Sequence, residues 1–166
     1  MPNNSCPSCF LPLYGPDPCI HRKRYLAALE FVISKGIKVY PVDYEWWAWK
    51  AARSQKYGFD RIIEISSVAY KIYGWDVMTS VLIHEFGHCD LFNEGIAEGS
   101  SMEENLKAEE KANQRGMELM PPHLLPENYR RHREFFLQSY SGQDWTEEKC
   151  LSAWSAFRAT LFDEHQ

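Results

Sequence analysis

Apolar residues recur at helical spacing over most of the chain and at strand spacing over a short part of it. In residues 21–35 (HRKRYLAALEFVISK), Tyr25, Leu26, Leu29, Val32 and Ile33 share a helical face, and Gly36 supplies a stop. Ile37–Val42 is a short β-branched run and predicts a strand. Residues 44–57, with Trp46, Trp47, Trp49 and Tyr57, predict a helix. Arg61–Ser66 (RIIEIS) alternates and predicts a second strand, and Val68–Tyr73 (VAYKIY) a third. Asp76 is placed to cap a helix over Val77–Phe92. A polar loop over 93–100 follows. Ser101 and Glu104 then have capping-box spacing and open a helix from Met102 to Met120, which Pro121-Pro122 ends. Residues 127–140 and 146–162 predict two more helices, the second starting near Asp144 or Thr146. Helix, strands, then helices is the order of an α+β domain.

Composition adds limits. Hydrophobic residues are 45% of the chain and charged residues 25%, an ordinary globular balance. The net charge of −5 argues against a general grip on nucleic acid. No apolar run is long enough to span a membrane. The N-terminal MPNNSCPSCFLPLYG lacks a basic segment followed by an apolar one, so the expectation is a cytoplasmic protein. Five cysteines, an odd number, argue against a disulfide framework. Cys89 and Cys150 read as small core residues.

The cysteines and prolines of residues 1–22 set that segment apart from a single domain over 23–166. Cys6-Pro7-Ser8-Cys9 has the two-residue gap that zinc favours, and Cys19 and His21 could complete a structural site. The full spacing C-x2-C-x9-C-x-H matches no standard zinc finger, and a reduced tail without metal is the other reading. The aromatic run Tyr44–Trp49 (YEWWAW) reads as core or as an exposed partner patch.

The chemistry concentrates in His84-Glu85-Phe86-Gly87-His88. Residues four apart on a helix differ by about 40° in rotation and about 6 Å in rise. His84 and His88 therefore project from one face and can meet one ion, while Glu85 sits beside them as a general base. Met78, Leu82, Phe86 and Cys89 make the rest of the helix apolar. Two imidazoles and a carboxylate in such a helix need partners, because burying polar groups alone is costly. A catalytic zinc needs a third protein ligand. Leu91 and Glu94 occupy the positions where a metzincin carries Gly and His, so that pattern fails. On the helix 102–120, Met102, Leu106, Ala108, Ala112, Gly116, Met117, Leu119 and Met120 occupy one arc. Glu109 falls near the middle of that arc and is the leading third ligand; Glu110 lies at its margin, and Glu94 and Glu98 are weaker alternatives.

HEFGH followed by EEKANQRGMELMPP resembles the ImmA/IrrE family of zincin-like metallopeptidases, over roughly residues 37–122. In that family a helix bearing E-x-x-A-N follows HExxH; here Glu109, Ala112 and Asn113 match, and Met120-Pro121 follows. Gln114-Arg115-Gly116 departs from the usual Phe-Ala pair. The resemblance implies a small sheet packed against the HExxH helix and a second ligand-bearing helix. It implies His84, His88 and Glu109 as zinc ligands and Glu85 as catalyst. It also implies a protein or peptide substrate, with a DNA-binding repressor as one such substrate.

A zinc there would acidify water and polarise a scissile carbonyl. His123, Tyr129 and His132 are candidate second oxyanion donors, and Asn113 is placed to orient a ligand. An edge of the strand Arg61–Ser66 could hold a substrate backbone. The competing function is a non-catalytic binding or regulatory module in which zinc only holds the fold.

Overall fold

The computed structural model describes residues 5–6, 9, 12, 19–43, 51–58, 60–95, 101–138 and 146–163. The Tyr44–Trp49 run and Glu98 lie outside them. The elements run α1 (Ile20–Ser34), β1 (Lys38–Val42), β2 (Ala52–Tyr57), β3 (Asp60–Ser66), α2 (Tyr70–Tyr73), α3 (Trp75–Asn93), α4 (Met102–Leu119), α5 (Tyr129–Leu137) and α6 (Glu147–Asp163), with a 3-10 turn at Pro122–Leu124. Among the described residues this is an α+β arrangement with one small three-stranded sheet.

The strand order is β1-β3-β2. β1 runs parallel to β3, from Lys38 opposite Ile62 to Val42 opposite Ser66. β2 runs antiparallel to β3, from Ala52 opposite Ile65 to Tyr57 opposite Asp60. Gly58 adopts φ +59 between that last pair, the left-handed conformation a tight hairpin requires. Two expectations are corrected here. Residues 52–57 form β2 rather than the end of a helix. Cross-strand pairing decides this: Arg53 lies opposite Glu64 and donates to its carboxylate at 2.9 Å. Arg61–Ser66, inside β3, is central and paired on both sides, so neither of its edges is open to a substrate.

The third predicted strand, Val68–Tyr73, is instead a turn leading into the short helix α2. The Ser66 hydroxyl accepts from the backbone N–H groups of Val68 and Ala69, which starts the turn. Ala69, Tyr70 and Tyr73 are then buried together, and Gly74 at φ +83 ends the helix. Tyr70 stacks on Trp75 at 4.3 Å, and Tyr73 packs edge-on against Phe136 and Trp154. Packing of two aromatic rings has overridden the β propensity of the run. Asp76 does not cap α3. Gly74 holds the cap position, and Asp76 in the first turn accepts from Arg24 on α1 at 3.2 Å.

α3 is the central element. Every residue from Val77 to Cys89 is buried, under α1, α4, α5 and the sheet. α4 begins as expected, with the Ser101 hydroxyl accepting from Glu104 N–H at 3.1 Å. The α3–α4 contact is backbone-close. A Cβ on Gly87 would run into the Ala112 carbonyl, and one on Gly116 into the Ile83 carbonyl. Ala108, Ala112 and Gly116, four apart, form the buried small-residue stripe of α4. No helix among the described residues is long and apolar enough to cross a membrane.

Alanine raises helix propensity over glycine by about 1 kcal/mol. Gly87→Ala and Gly116→Ala should nonetheless each lower stability, by about 1–3 kcal/mol, because the new methyl group overpacks a backbone contact. Chemical denaturation measures this. An unchanged or higher midpoint would show that the two helices can separate at no cost.

Candidate metal centre

His84 and His88 lie one turn apart on α3, with ring centroids 4.6 Å apart and planes at 86°. Glu109 reaches them from α4. Its Oε2 is 2.6 Å from His84 Nε2 and its Oε1 is 3.2 Å from His88 Nε2. All three residues are buried. Glu85 is buried beside them, its Oε1 4.0 Å from His84 Nε2. Two of the other candidate acids, Glu110 and Glu94, lie elsewhere. Glu110 is exposed on α4. Glu94 is bound by Arg115, at 2.6 Å and 3.2 Å, and Arg115 also holds Asp90 at 2.6 Å. That guanidinium keeps the Glu94 carboxyl below the usual range.

The far side of His84 fixes its tautomer. Asn113, one turn after Glu109, places Oδ1 2.5 Å from His84 Nδ1. The same oxygen accepts from Arg133 Nε at 2.9 Å. An arginine Nε–H can only donate, so the Asn113 atom it meets is the carbonyl oxygen. His84 Nδ1 must then donate to that oxygen, which leaves Nε2 carrying a lone pair. Burial, then the Arg133 charge, holds His84 below its ordinary value, so it is neutral. Burial acts to raise the Glu109 carboxyl, but the two imidazoles outweigh it and keep the group well below the carboxylate range. A lone pair on nitrogen thus faces a carboxyl oxygen across 2.6 Å, a pair that a proton or a metal ion between them satisfies.

The donor set fits zinc. Two imidazole nitrogens and a carboxylate are a protein ligand set that zinc uses in open sites. The donor atoms of His84, His88 and Glu109 lie within 4.8 Å of one another. Tetrahedral zinc ligands at about 2.0–2.1 Å stand about 3.3 Å apart, the scale on which these donors are gathered.

The candidate oxyanion donors separate. His123 is exposed on the 3-10 turn. His132 is buried on α5 with Nδ1 2.7 Å from the Ser80 hydroxyl. It lines a different cavity, of about 390 Å³, with His21, Asp76 and Trp154. Tyr129 is buried, and its hydroxyl donates to the Asn113 carbonyl at 2.9 Å. Burial pushes the Tyr129 phenol up; the Arg133 charge opposes this and the Glu85 charge adds a smaller rise. Sequence reasoning missed Arg133. Tyr129, His132, Arg133 and Phe136 share one buried face of α5, so the helical spacing that turns Glu109 inward on α4 turns Arg133 inward on α5. Its guanidinium also lies over the Phe136 ring at 5.0 Å. A shallow cavity of about 160 Å³ opens on Asn113, Tyr129 and Arg133. A second group with metal-ligand spacing, Cys6, Cys9, Cys19 and His21, lies at the start of α1.

No protein-family model, curated protein or solved structure matches this chain.

Two outcomes are expected. Asn113→Leu removes the acceptor that orients His84 and leaves the Arg133 charge buried beside it. Zinc affinity, measured by competition with a chromophoric chelator, should fall about 10–100-fold. His132 concerns pH. Burial first, then the Arg133 and Arg131 charges, hold it down at about 3, below the unfolded value of about 6.5. The unfolded chain therefore takes a proton that the folded chain refuses. This stability is complete above about pH 6.5 and is lost as the pH falls toward about 3, on the order of 5 kcal/mol over the window. His132→Gln should flatten that part of the pH–stability curve measured by denaturant unfolding. An identical slope in wild type and variant would overturn the assignment.

Proposed function

We propose that this protein is a zinc-dependent peptidase of the ImmA/IrrE kind. One observation carries the reading: a buried carboxylate from α4 meets the Nε2 atoms of both histidines of an HExxH helix, with Glu85 on the same rim. The two-helix arrangement, with a small sheet packed on the HExxH helix, is what the resemblance implies for a zincin. Asn113 and Arg133 support the reading by holding His84 in the tautomer that leaves Nε2 available as a ligand.

His84, His88 and Glu109 would hold the zinc, which when bound supplies a Lewis acid that acidifies water and polarises a carbonyl. Glu85 takes the proton from the attacking water and delivers it to the leaving amine. Of the three candidate oxyanion donors, Tyr129 is the one bonded to the residue that orients His84, its hydroxyl donating to the Asn113 carbonyl at 2.9 Å. It can serve only by releasing the Asn113 carbonyl. An extended substrate would lie along the outer edge of β2, which packs on α3 and is an edge strand among the described residues. The substrate class, a DNA-binding repressor, rests on the resemblance alone.

The deep burial of Glu85 and His88 favours a second reading, in which the metal only holds a binding or regulatory module. Glu85→Gln separates the two. For a peptidase, the variant keeps its zinc and its fold but loses about 10²–10⁴-fold in cleavage rate. Glu109→Gln should lose zinc as well. No cleavage by zinc-loaded wild type across repressor and unstructured protein substrates, with unfolding on chelation, would instead establish the module.

A further inference from the structure

Three sulfurs and an imidazole nitrogen gather at the start of α1, away from the HExxH helix. The donor atoms of Cys6, Cys9, Cys19 and His21 lie within 4.8 Å of one another. Cys6 and Cys19 are wholly buried and join the main hydrophobic cluster; Cys9 and His21 are half-buried. None of the chain's five cysteines is in a disulfide. The backbone builds the cluster. A bridge between Ser5 and Pro12 folds the segment back on itself, and the Cys19 N–H donates to the Pro12 carbonyl at 2.9 Å. Cys19 then caps α1, its Sγ accepting from Arg22 N–H at 3.2 Å. His21, in the first turn, brings Nδ1 to 3.8 Å from Cys6 Sγ. Around a tetrahedral zinc, a sulfur and a nitrogen ligand stand about 3.6 Å apart.

Charge points the same way. A helix N-terminus favours negative groups. The first turn of α1 holds no acid, and its sequence runs His21-Arg22-Lys23-Arg24. Three thiolates, one neutral imidazole and a divalent ion sum to one negative charge, placed at the N-terminus of α1, where the helix dipole favours it.

We propose that Cys6, Cys9, Cys19 and His21 bind a structural zinc ion that pins the N-terminal segment to the start of α1. On binding, the three thiols release their protons to solvent and each sulfur forms a bond to the metal. All four positions are protein ligands, so the site is closed and holds structure rather than a reacting water. The clamp bears on α3 through α1, where Tyr25 packs on Trp75 at 4.9 Å and Arg24 pairs with Asp76.

The test uses the full chain, with zinc counted by elemental analysis and cobalt(II) substituted as a spectroscopic probe. Wild type should hold about two zinc ions, and the Cys6→Ser/Cys9→Ser double variant one fewer. Cobalt-loaded wild type should show the intense near-ultraviolet thiolate-to-metal band. His84→Ala should keep that band and one metal equivalent; Cys9→His, a conservative ligand exchange, should keep the metal with a weaker band. These two variants keep the test open if the double variant does not fold. Absence of the thiolate band from wild type would overturn the proposal, as would a Cys6–Cys9 disulfide in metal-loaded protein purified under reducing conditions. Loss of all metal in His84→Ala would also overturn it while leaving the HExxH centre standing. A thiolate band with only one metal equivalent, unaffected by His84→Ala, would support this site and sink the other.

Discussion

The close approach of α3 and α4 is the constraint on which the rest of the structure depends. Gly87 and Gly116 each face a carbonyl of the opposite helix with no room for a methyl group. Glycine inside a helix costs about 1 kcal/mol against alanine. Here that cost is offset by a contact no other residue permits. The stripe Ala108, Ala112, Gly116 brings α4 so close that Glu109, one residue along from it, reaches both imidazoles. A wider crossing would leave the carboxylate short of His84 and His88. The same geometry gives the segment Arg115-Gly116 its part in the crossing. Gly116 makes the close contact, and Arg115 ties α4 to Asp90 and Glu94 near the end of α3.

A chain of hydrogen bonds across three helices stands behind the candidate metal ligands. Arg133 of α5 donates to Asn113 of α4, and Asn113 accepts from His84 of α3. Tyr129 holds the Asn113 backbone from the same face of α5. Burying a guanidinium is expensive unless its donors are satisfied. Its position is explained by what it does to its neighbour: with Arg133 in place, Asn113 can present only oxygen to His84, and His84 can present only a lone pair to Glu109. A choice of tautomer, made two residues away, decides whether the pair can hold a cation.

The two donor groups use opposite strategies. The HExxH centre is assembled from helices far apart in sequence and is complete only when the core is packed. The cysteine cluster is local, spanning Cys6 to His21, and is brought together by one backbone bridge and one helix cap. A metal there would act on the stretch from Cys6 to His21, whose two buried cysteines join the main hydrophobic cluster. α1 carries the connection between the two, since its buried face packs on α3.

Features that rest on local periodicity were legible in the sequence. The i, i+4 histidines, the Ser101 cap, the Gly36 stop and the inward-facing Glu109 all follow from helical geometry, which relates residues a few positions apart. The tertiary structure decided what depends on distant partners. Residues 52–57 are a strand because Arg53 meets Glu64 on β3, and Val68–Tyr73 turns into a helix because Ser66, Trp75, Phe136 and Trp154 receive it. β3 is central because β2, expected as helix, pairs with its other side. Arg133 pointed inward on its own helix, but only the meeting of three helices shows that it faces Asn113 and, through it, His84. A helix repeats every 3.6 residues and so announces its faces in sequence; a strand's neighbour or a buried charge's partner is set by packing across the whole chain.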